Sequence, residues 1–305
     1  MTTKKTADEL VKEHLKDCEA RLSPFTVKNH RVCLNAFVKF LGNKSLIDAT
    51  KSDVRRFLND MKQRGRARST LTGNFCVICS FFKYIEVYHG INMPSLDDID
   101  IKDYSRGMWE GQKREALTKG EVRALIEAPD NLRDVLLIAM LYYLGLRVSE
   151  AAYLTIENID TENRIVEVIG KGNKPRKIPY SSKLDRAIFI WLHKERKSYT
   201  NNNSPYFFLS KHGEHLNPKS ISNMVHNYAK KAGIQKVIGR NADGKKIYRV
   251  HPHILRHSFA THAADDDIPL TLIQKMMGHS NLSTTLRYMG ETNGFKSYYD
   301  KFKGV

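Results

Sequence analysis

Apolar residues recur at helical spacing through the first ninety positions, with none of the strict alternation of a half-buried strand. Residues 7–20 and 25–41 are expected as helices, the second marked by Val27, Val32, Leu34, Phe37, Val38 and Phe40. Thr50-Lys51-Ser52-Asp53 has the form of a capping box, in which a hydroxyl takes the amide three positions on and a carboxylate returns to the cap amide. It opens a third helix through Met61 that Gly65 closes, and a fourth runs from about Ser69 to Tyr88, ending near Gly90. Over 91–114 the periodicity is lost, Pro94 and Gly107 interrupt, and acidic and basic residues mix, so this stretch is expected as a linker. Thr118-Lys119-Gly120-Glu121 is a second capping box and starts a helical pattern that continues to about Leu154.

Strand character is clear at one place. Residues 164–169 and 176–180 read as two strands flanking Gly170-Lys171-Gly172-Asn173-Lys174, a glycine-rich turn. Helical pattern then returns, with loops expected near 199–206 and 239–247. The expected class is mainly α with a small β-hairpin (α+β). Two domains follow, a helical one over 1–90 and a larger one over 115–290, with a tail at 291–305.

Composition narrows the partners. The 305 residues hold 50 Lys+Arg against 33 Asp+Glu, a formal charge of +17, which draws the chain towards a polyanion. No stretch approaches the ~20 apolar residues of a spanning helix, and Met1-Thr2-Thr3-Lys4-Lys5 lacks a signal-peptide core, so a cytoplasmic protein without membrane attachment is expected. Basic positions stud the helical region, among them Lys28, Arg31, Arg55 and Arg68. They form either a solvated face or a DNA-backbone face, and the charge bias of the whole chain favours DNA. Of the four cysteines, Cys76 and Cys79 lie in an apolar run while Cys18 and Cys33 stand singly; all are expected as buried structural thiols, with no metal.

Four segments carry chemistry. Arg147, in Leu144-Gly145-Leu146-Arg147-Val148-Ser149-Glu150, sits in an apolar neighbourhood and needs an anion or a carboxylate, Glu150 being the plain internal partner. Lys171 occupies the hairpin turn, which lacks the phosphate-loop pattern and is either a solvated tip or a functional cation. In His251-Pro252-His253-Ile254-Leu255-Arg256, His253 and Arg256 stand three apart and share a helical face that suits a phosphate and a proton-transfer group. Three histidines close together there invite a metal, but no carboxylate or cysteine completes a set at usual spacing. The fourth segment runs from Gly278-His279-Ser280 to Tyr288. Taken together, two arginines, a lysine, two histidines and a tyrosine are what phosphoryl transfer without a metal requires: guanidiniums for charge on the nonbridging oxygens, and proton donors and acceptors for two oxygens.

These motifs, in this order over residues 115–290, resemble the tyrosine recombinase family, most closely its compact Xer-type members. The family's arginine box is matched by Gly145-Leu146-Arg147, its hairpin lysine by Lys171, its HxxR box by His253-Ile254-Leu255-Arg256, and its second histidine by His279. Its nucleophile is matched by Tyr288, nine positions after His279. The resemblance implies that Tyr288 attacks a DNA phosphate to give a 3′-phosphotyrosine and a free 5′ hydroxyl, with no cofactor. It assigns Arg147 and Arg256 to the nonbridging oxygens and Lys171 to the 5′ oxygen. His253 would assist proton transfer with the tyrosine, and His279 would hydrogen-bond the phosphate. It further implies a core-binding N-terminal domain and a tetramer on two duplexes, of one chain or with a related recombinase, passing through a Holliday junction. DNA contacts are expected from Lys28, Arg31, Arg55, Arg68 and Lys174.

Competing readings stay open at this point. Tyr298 and Tyr299 form an aromatic stripe with Phe295 and Phe302, which either docks on a neighbouring protomer or folds back on its own domain. Asp265-Asp266-Asp267 is read as a helix end beside Pro269 rather than a metal cluster. Within enzymes, a type IB topoisomerase uses similar chemistry; outside them stands a non-catalytic DNA-binding protein. The role leans to chromosome or plasmid dimer resolution because the chain has no room for an arm-binding domain, with integration of a mobile element as the alternative.

Overall fold

The computed structural model describes residues 6–105, 115–170, 175–199, 204–241 and 243–278. These divide into two compact units, one containing the helices up to residue 105 together with 239–247, the other containing the rest. No described helix is long and apolar enough to cross a membrane.

The first unit is built from α1 (Ala7–Arg21), α2 (Pro24–Leu41), α3 (Lys51–Gln63), α4 (Arg68–His89) and α5 (Ile101–Ser105). Their ends follow the local chemistry. Thr6 and Glu9 make a capping box on α1, Ser23 caps α2 ahead of Pro24, Thr50 and Asp53 cap α3, and Gly90 closes α4 in the left-handed region at φ 64°. Leu34, Phe37, Val54, Leu58, Leu71, Ile78 and Phe81 meet in the core. Val32 departs from the expected stripe and is exposed, because its face of α2 points away from that core. The stretch expected as a linker contributes too: Met93, Leu96 and Ile99 are buried in this core, and α5 follows them. Of the cysteines, Cys18 and Cys33 are buried as expected, whereas Cys79 is half-buried and Cys76 exposed, on the side of α4 opposite Ile78.

The second unit comprises α6 (Lys119–Glu127), α7 (Leu132–Tyr143), α8 (Val148–Ala152), α9 (Ser182–His193), α10 (Pro218–Lys231), α11 (Pro252–Asp265) and α12 (Leu270–Met277). Its three-stranded antiparallel sheet is ordered β1 (Ile159–Asp160), β2 (Ile165–Ile169), β3 (Pro175–Pro179). In it Val166 pairs with Ile178 and both are buried. Helix α7 is apolar all round from Leu136 to Tyr142 and packs against α6, α9 and α11, as a central helix must. Helix α11 is enclosed over most of its length and ends at Asp265, with Asp266 at its cap and Pro269 leading into α12, as expected for that acidic run.

Residues 239–247, expected as a loop, instead carry the facing ends of a hairpin between β4 (Val237–Arg240) and β5 (Lys246–Tyr248). Neither strand has a buried residue, so no alternation marks them in the sequence.

Asp53 shows how a cap becomes a structural anchor. It is almost fully buried and accepts from the Thr50 amide (2.8 Å), the Thr50 hydroxyl (2.7 Å), Lys44 and Arg56. Burial opposes its charge, but the hydrogen bonds from Lys44, Thr50 and Arg56 outweigh it and hold the carboxyl well below the usual aspartate range. Asp53→Ala is expected to lower the unfolding free energy by about 2 kcal/mol at pH 7 in urea titrations. A depressed carboxyl stabilises above its unfolded pKa and stops doing so as pH falls through the folded one, so the deficit shrinks on acidification.

Candidate active site

Within the second unit the chain gathers three arginines around one carboxylate. Gly145 ends the approach from α7 at φ 56°, a conformation that leaves room for Phe259, whose Cδ1 would lie 2.8 Å from any Cβ there. The turn sets Arg147 at the N-cap of α8, and Glu150 at the third helical position folds back so that its Oε2 accepts from the Arg147 amide at 2.7 Å. Its Oε1 accepts from Arg147 Nη1 at 2.7 Å and from Arg176 Nη1 at 2.8 Å, and its Oε2 from Arg176 Nη2 at 2.8 Å. Arg256 comes from α11, with Nη1 3.9 Å from Glu150 Oε2. Arg147 and Arg256 are therefore brought together, and Arg147 does pair with Glu150, as the plain alternative held. One carboxylate thus serves several guanidiniums.

The same arginines hold the end of α12. Its last carbonyls have no partner within the helix. Met276 O accepts from Arg176 Nε (2.7 Å), Met277 O from Arg256 Nη2, and Gly278 O from Arg147 Nη2 (3.3 Å). Arg256 Nη1 also donates to Gly145 O. Gly278 is left-handed at φ 60°, and a Cβ there would sit 3.1 Å from Arg176 Cδ. The negative end of the α12 dipole thus faces three cations.

Three guanidiniums against Glu150 leave a formal surplus of two positive charges. The Arg256 and Arg176 side chains are 2% and 9% exposed, while Arg147 is 33% exposed and carries that charge towards solvent. Burial works against ionisation of Glu150, yet the Arg176 and Arg147 hydrogen bonds prevail and bring its pKa down to about 2. A buried, fixed carboxylate with this surplus around it makes an anion site, suited to the nonbridging oxygens of a phosphate.

His253 lies one turn before Arg256 on α11 and is exposed where Arg256 is enclosed, its ring stacked on His251 with centroids 6.3 Å apart. Lys171, Lys174, His279 and Tyr288 lie outside the described residues, as does the aromatic stripe from Phe295 to Phe302. Of the expected DNA contacts, Lys28 and Arg31 lie three apart on the solvent side of α2, and Arg68 opens α4, also exposed. Arg31 stands 3.6 Å from Glu19, and Arg55 on α3 joins Lys51 around Asp98. Arg176 was not anticipated. Its signal was present: it stands two positions before buried Ile178 on β3, so a period-two strand turns both the same way.

Residues 115–293 match the phage integrase family, and residues 10–88 match the phage integrase N-terminal SAM-like domain. The tyrosine recombinase XerC of Myxococcus xanthus is 30% identical over 300 residues, covering 94% of either chain. The tyrosine recombinase XerA of Pyrococcus horikoshii is 34% identical over 243 residues, 78% of this chain and 75% of that one. Among solved structures, the Tn1549 transposon integrase in complex with transposon right end DNA has a TM-score of 0.79 at 18% identity, covering 98% of this chain and 100% of that one, a likeness of fold.

Arg176→Ala is expected to destabilise the second unit by about 3 kcal/mol at pH 7, since it strands a buried carboxylate. Because the folded pKa of Glu150 is depressed, its contribution is complete above the unfolded value and fades as pH drops towards 2, so the cost should diminish in acid. Arg176→Lys should recover only part of the loss, as an ammonium cannot reproduce the two-pronged contact. Thermal melts at pH 7 and in acid check both statements.

Proposed function

The chain belongs to the phage integrase family and is a tyrosine recombinase, a DNA strand-transferring enzyme, and from that premise we propose how its own residues divide the work. The reading is carried by one observation: Arg147 and Arg256 converge on Glu150 with positive charge in excess. Two guanidiniums fixed before substrate arrives match the charge that gathers on nonbridging oxygens as the phosphorus becomes five-coordinate.

Tyr288 Oη bonds to the scissile phosphorus and gives up its proton with help from His253, while the bond from phosphorus to the 5′ oxygen breaks. Lys171 supplies the proton that the 5′ oxygen takes. His279 donates to the phosphate, and it follows directly on Gly278, whose carbonyl Arg147 holds. The products are a 3′-phosphotyrosine and a 5′ hydroxyl. The hydroxyl of a partner strand then attacks the phosphotyrosine and restores Tyr288. Each step exchanges one phosphodiester for another, so the sequence needs no nucleotide triphosphate.

The reading extends to organisation. The helical region of residues 1–90 is taken as the core-binding domain, extended by the burial of Met93, Leu96 and Ile99, with the rest of 91–114 as linker. Residues 115–290 form the catalytic domain, and 291–305 a tail that docks on a neighbouring protomer. DNA is the partner; Lys28, Arg31, Arg55, Arg68 and Lys174 contact its backbone, Arg55 by exchanging Asp98 for phosphate. Four protomers act on two duplexes through a Holliday junction, in the cytoplasm on the nucleoid. Similarity to XerC and XerA recombinases over most of their length supports dimer resolution as the biological role.

The test is a denaturing-gel trapping assay with nicked duplexes carrying the host's dimer-resolution site. A covalent band should form in EDTA and vanish in Tyr288→Phe, which keeps its DNA affinity. Arg147→Ala should slow cleavage by about 10²–10³-fold. Lys171→Ala should be rescued by a substrate whose 5′ oxygen is replaced by sulfur, a leaving group that needs no proton, whereas Arg147→Ala should not. A band that persists in Tyr288→Phe would remove Tyr288 from its role.

A further inference from the structure

Helices α1 and α2 bring a second set of chemically able side chains together, within the first unit and apart from the arginine site. His14 and Cys18 stand four apart on α1 and so share a side, and His30 reaches them from α2. His14 Nε2 lies 3.4 Å from Cys18 Sγ, and Cys18 Sγ lies 3.8 Å from His30 Nδ1. One ligand atom from each of the three residues lies within 4.8 Å of the others, the one such group of three or more His, Cys, Asp or Glu among the described residues.

We propose that His14, Cys18 and His30 bind a zinc-class transition-metal ion that ties α1 to α2. Zinc bonds of about 2.3 Å to sulfur and about 2.0–2.1 Å to nitrogen, at tetrahedral angles, place sulfur and nitrogen roughly 3.5 Å apart. The two observed sulfur–nitrogen separations fall on either side of that value. A thiolate with two imidazoles is a borderline-to-soft set, which selects zinc over magnesium or calcium.

The surroundings suit a fixed ligand set. The His14 ring is fully buried and packed edge-on against Phe81 and Tyr84, with centroids 5.2 and 5.0 Å away, which holds its Nε2 beside Cys18. Cys18 is 1% exposed and His30 is half-buried on α2. Binding exchanges the Cys18 thiol proton for the ion and releases that proton to solvent. The ion takes no part in strand transfer. Its effect is on the stability of the helical unit, because an ion that binds only the folded form shifts unfolding by mass action.

The experiment uses the full chain, stripped with EDTA and freed of chelator, and cobalt(II) as the probe. One equivalent should produce the ligand-field bands of tetrahedral cobalt and a near-ultraviolet thiolate-to-cobalt band. Both should be lost in Cys18→Ser and in His30→Ala, with zinc affinity at least tenfold weaker in competition with a chromophoric chelator. Circular dichroism and melting in EDTA establish that these variants fold. Should one fail to fold, zinc-edge X-ray absorption of the wild-type chain decides instead, with one sulfur and two imidazoles expected around the ion. Absence of cobalt bands at one equivalent, bands unchanged by Cys18→Ser, or a sulfur-free zinc shell would each overturn the proposal. Covalent trapping in EDTA should proceed as in untreated enzyme, so the metal site and the strand-transfer reading fail separately.

Discussion

A single carboxylate has to hold three guanidiniums. Glu150 accepts from Arg147 and Arg176 and lies beside Arg256, and without it these closely placed cations would repel one another. Removing one member of such a buried group costs about 3–5 kcal/mol, because a charge is left without its partner. The arrangement is therefore closed to piecemeal change. Glu150 and the carbonyl end of α12 together face all three cations.

The scaffold keeps this group rigid. Helix α7 is enclosed on every side, and α11 nearly so, and they carry the chain to Gly145 and to Arg256 respectively. Two of the left-handed glycines, Gly145 and Gly278, stand where Phe259 and Arg176 press against the backbone. Through Met276, Met277 and Gly278 the arginines also fix the last turn of α12. The side chains proposed to bind phosphate thus also hold the point in the chain directly before His279.

Much of this is legible in the amino-acid sequence. The capping boxes at Thr50 and Thr118 and the hairpin of β2 and β3 could be read because caps and period-two burial are local signals. The convergence on Glu150 is legible in part, Arg147 from an apolar neighbourhood that demands a carboxylate or an anion, and Arg256 from its place three after His253 on one helical face. What escaped was written in longer-range terms. Arg176 has meaning only once β3 is packed against α12. The strands β4 and β5 bury nothing, so no periodicity announces them. Met93, Leu96 and Ile99 are too widely spaced among charges to look like core, yet they are buried in the core of the first unit. His14, Cys18 and His30 come together across the turn between two helices, outside the spacings by which metal sites are ordinarily recognised.

The central claim is that DNA strand transfer runs through Tyr288 on an arginine site organised by Glu150. Its most direct test is mass spectrometry of the trapped protein–DNA adduct after nuclease and trypsin digestion. Lys296 lies between Tyr288 and the pair Tyr298 and Tyr299, so the candidates fall on different peptides. The account predicts a residual nucleotide on the peptide that contains Tyr288, whereas the same mass on the peptide containing Tyr298 and Tyr299 would contradict it.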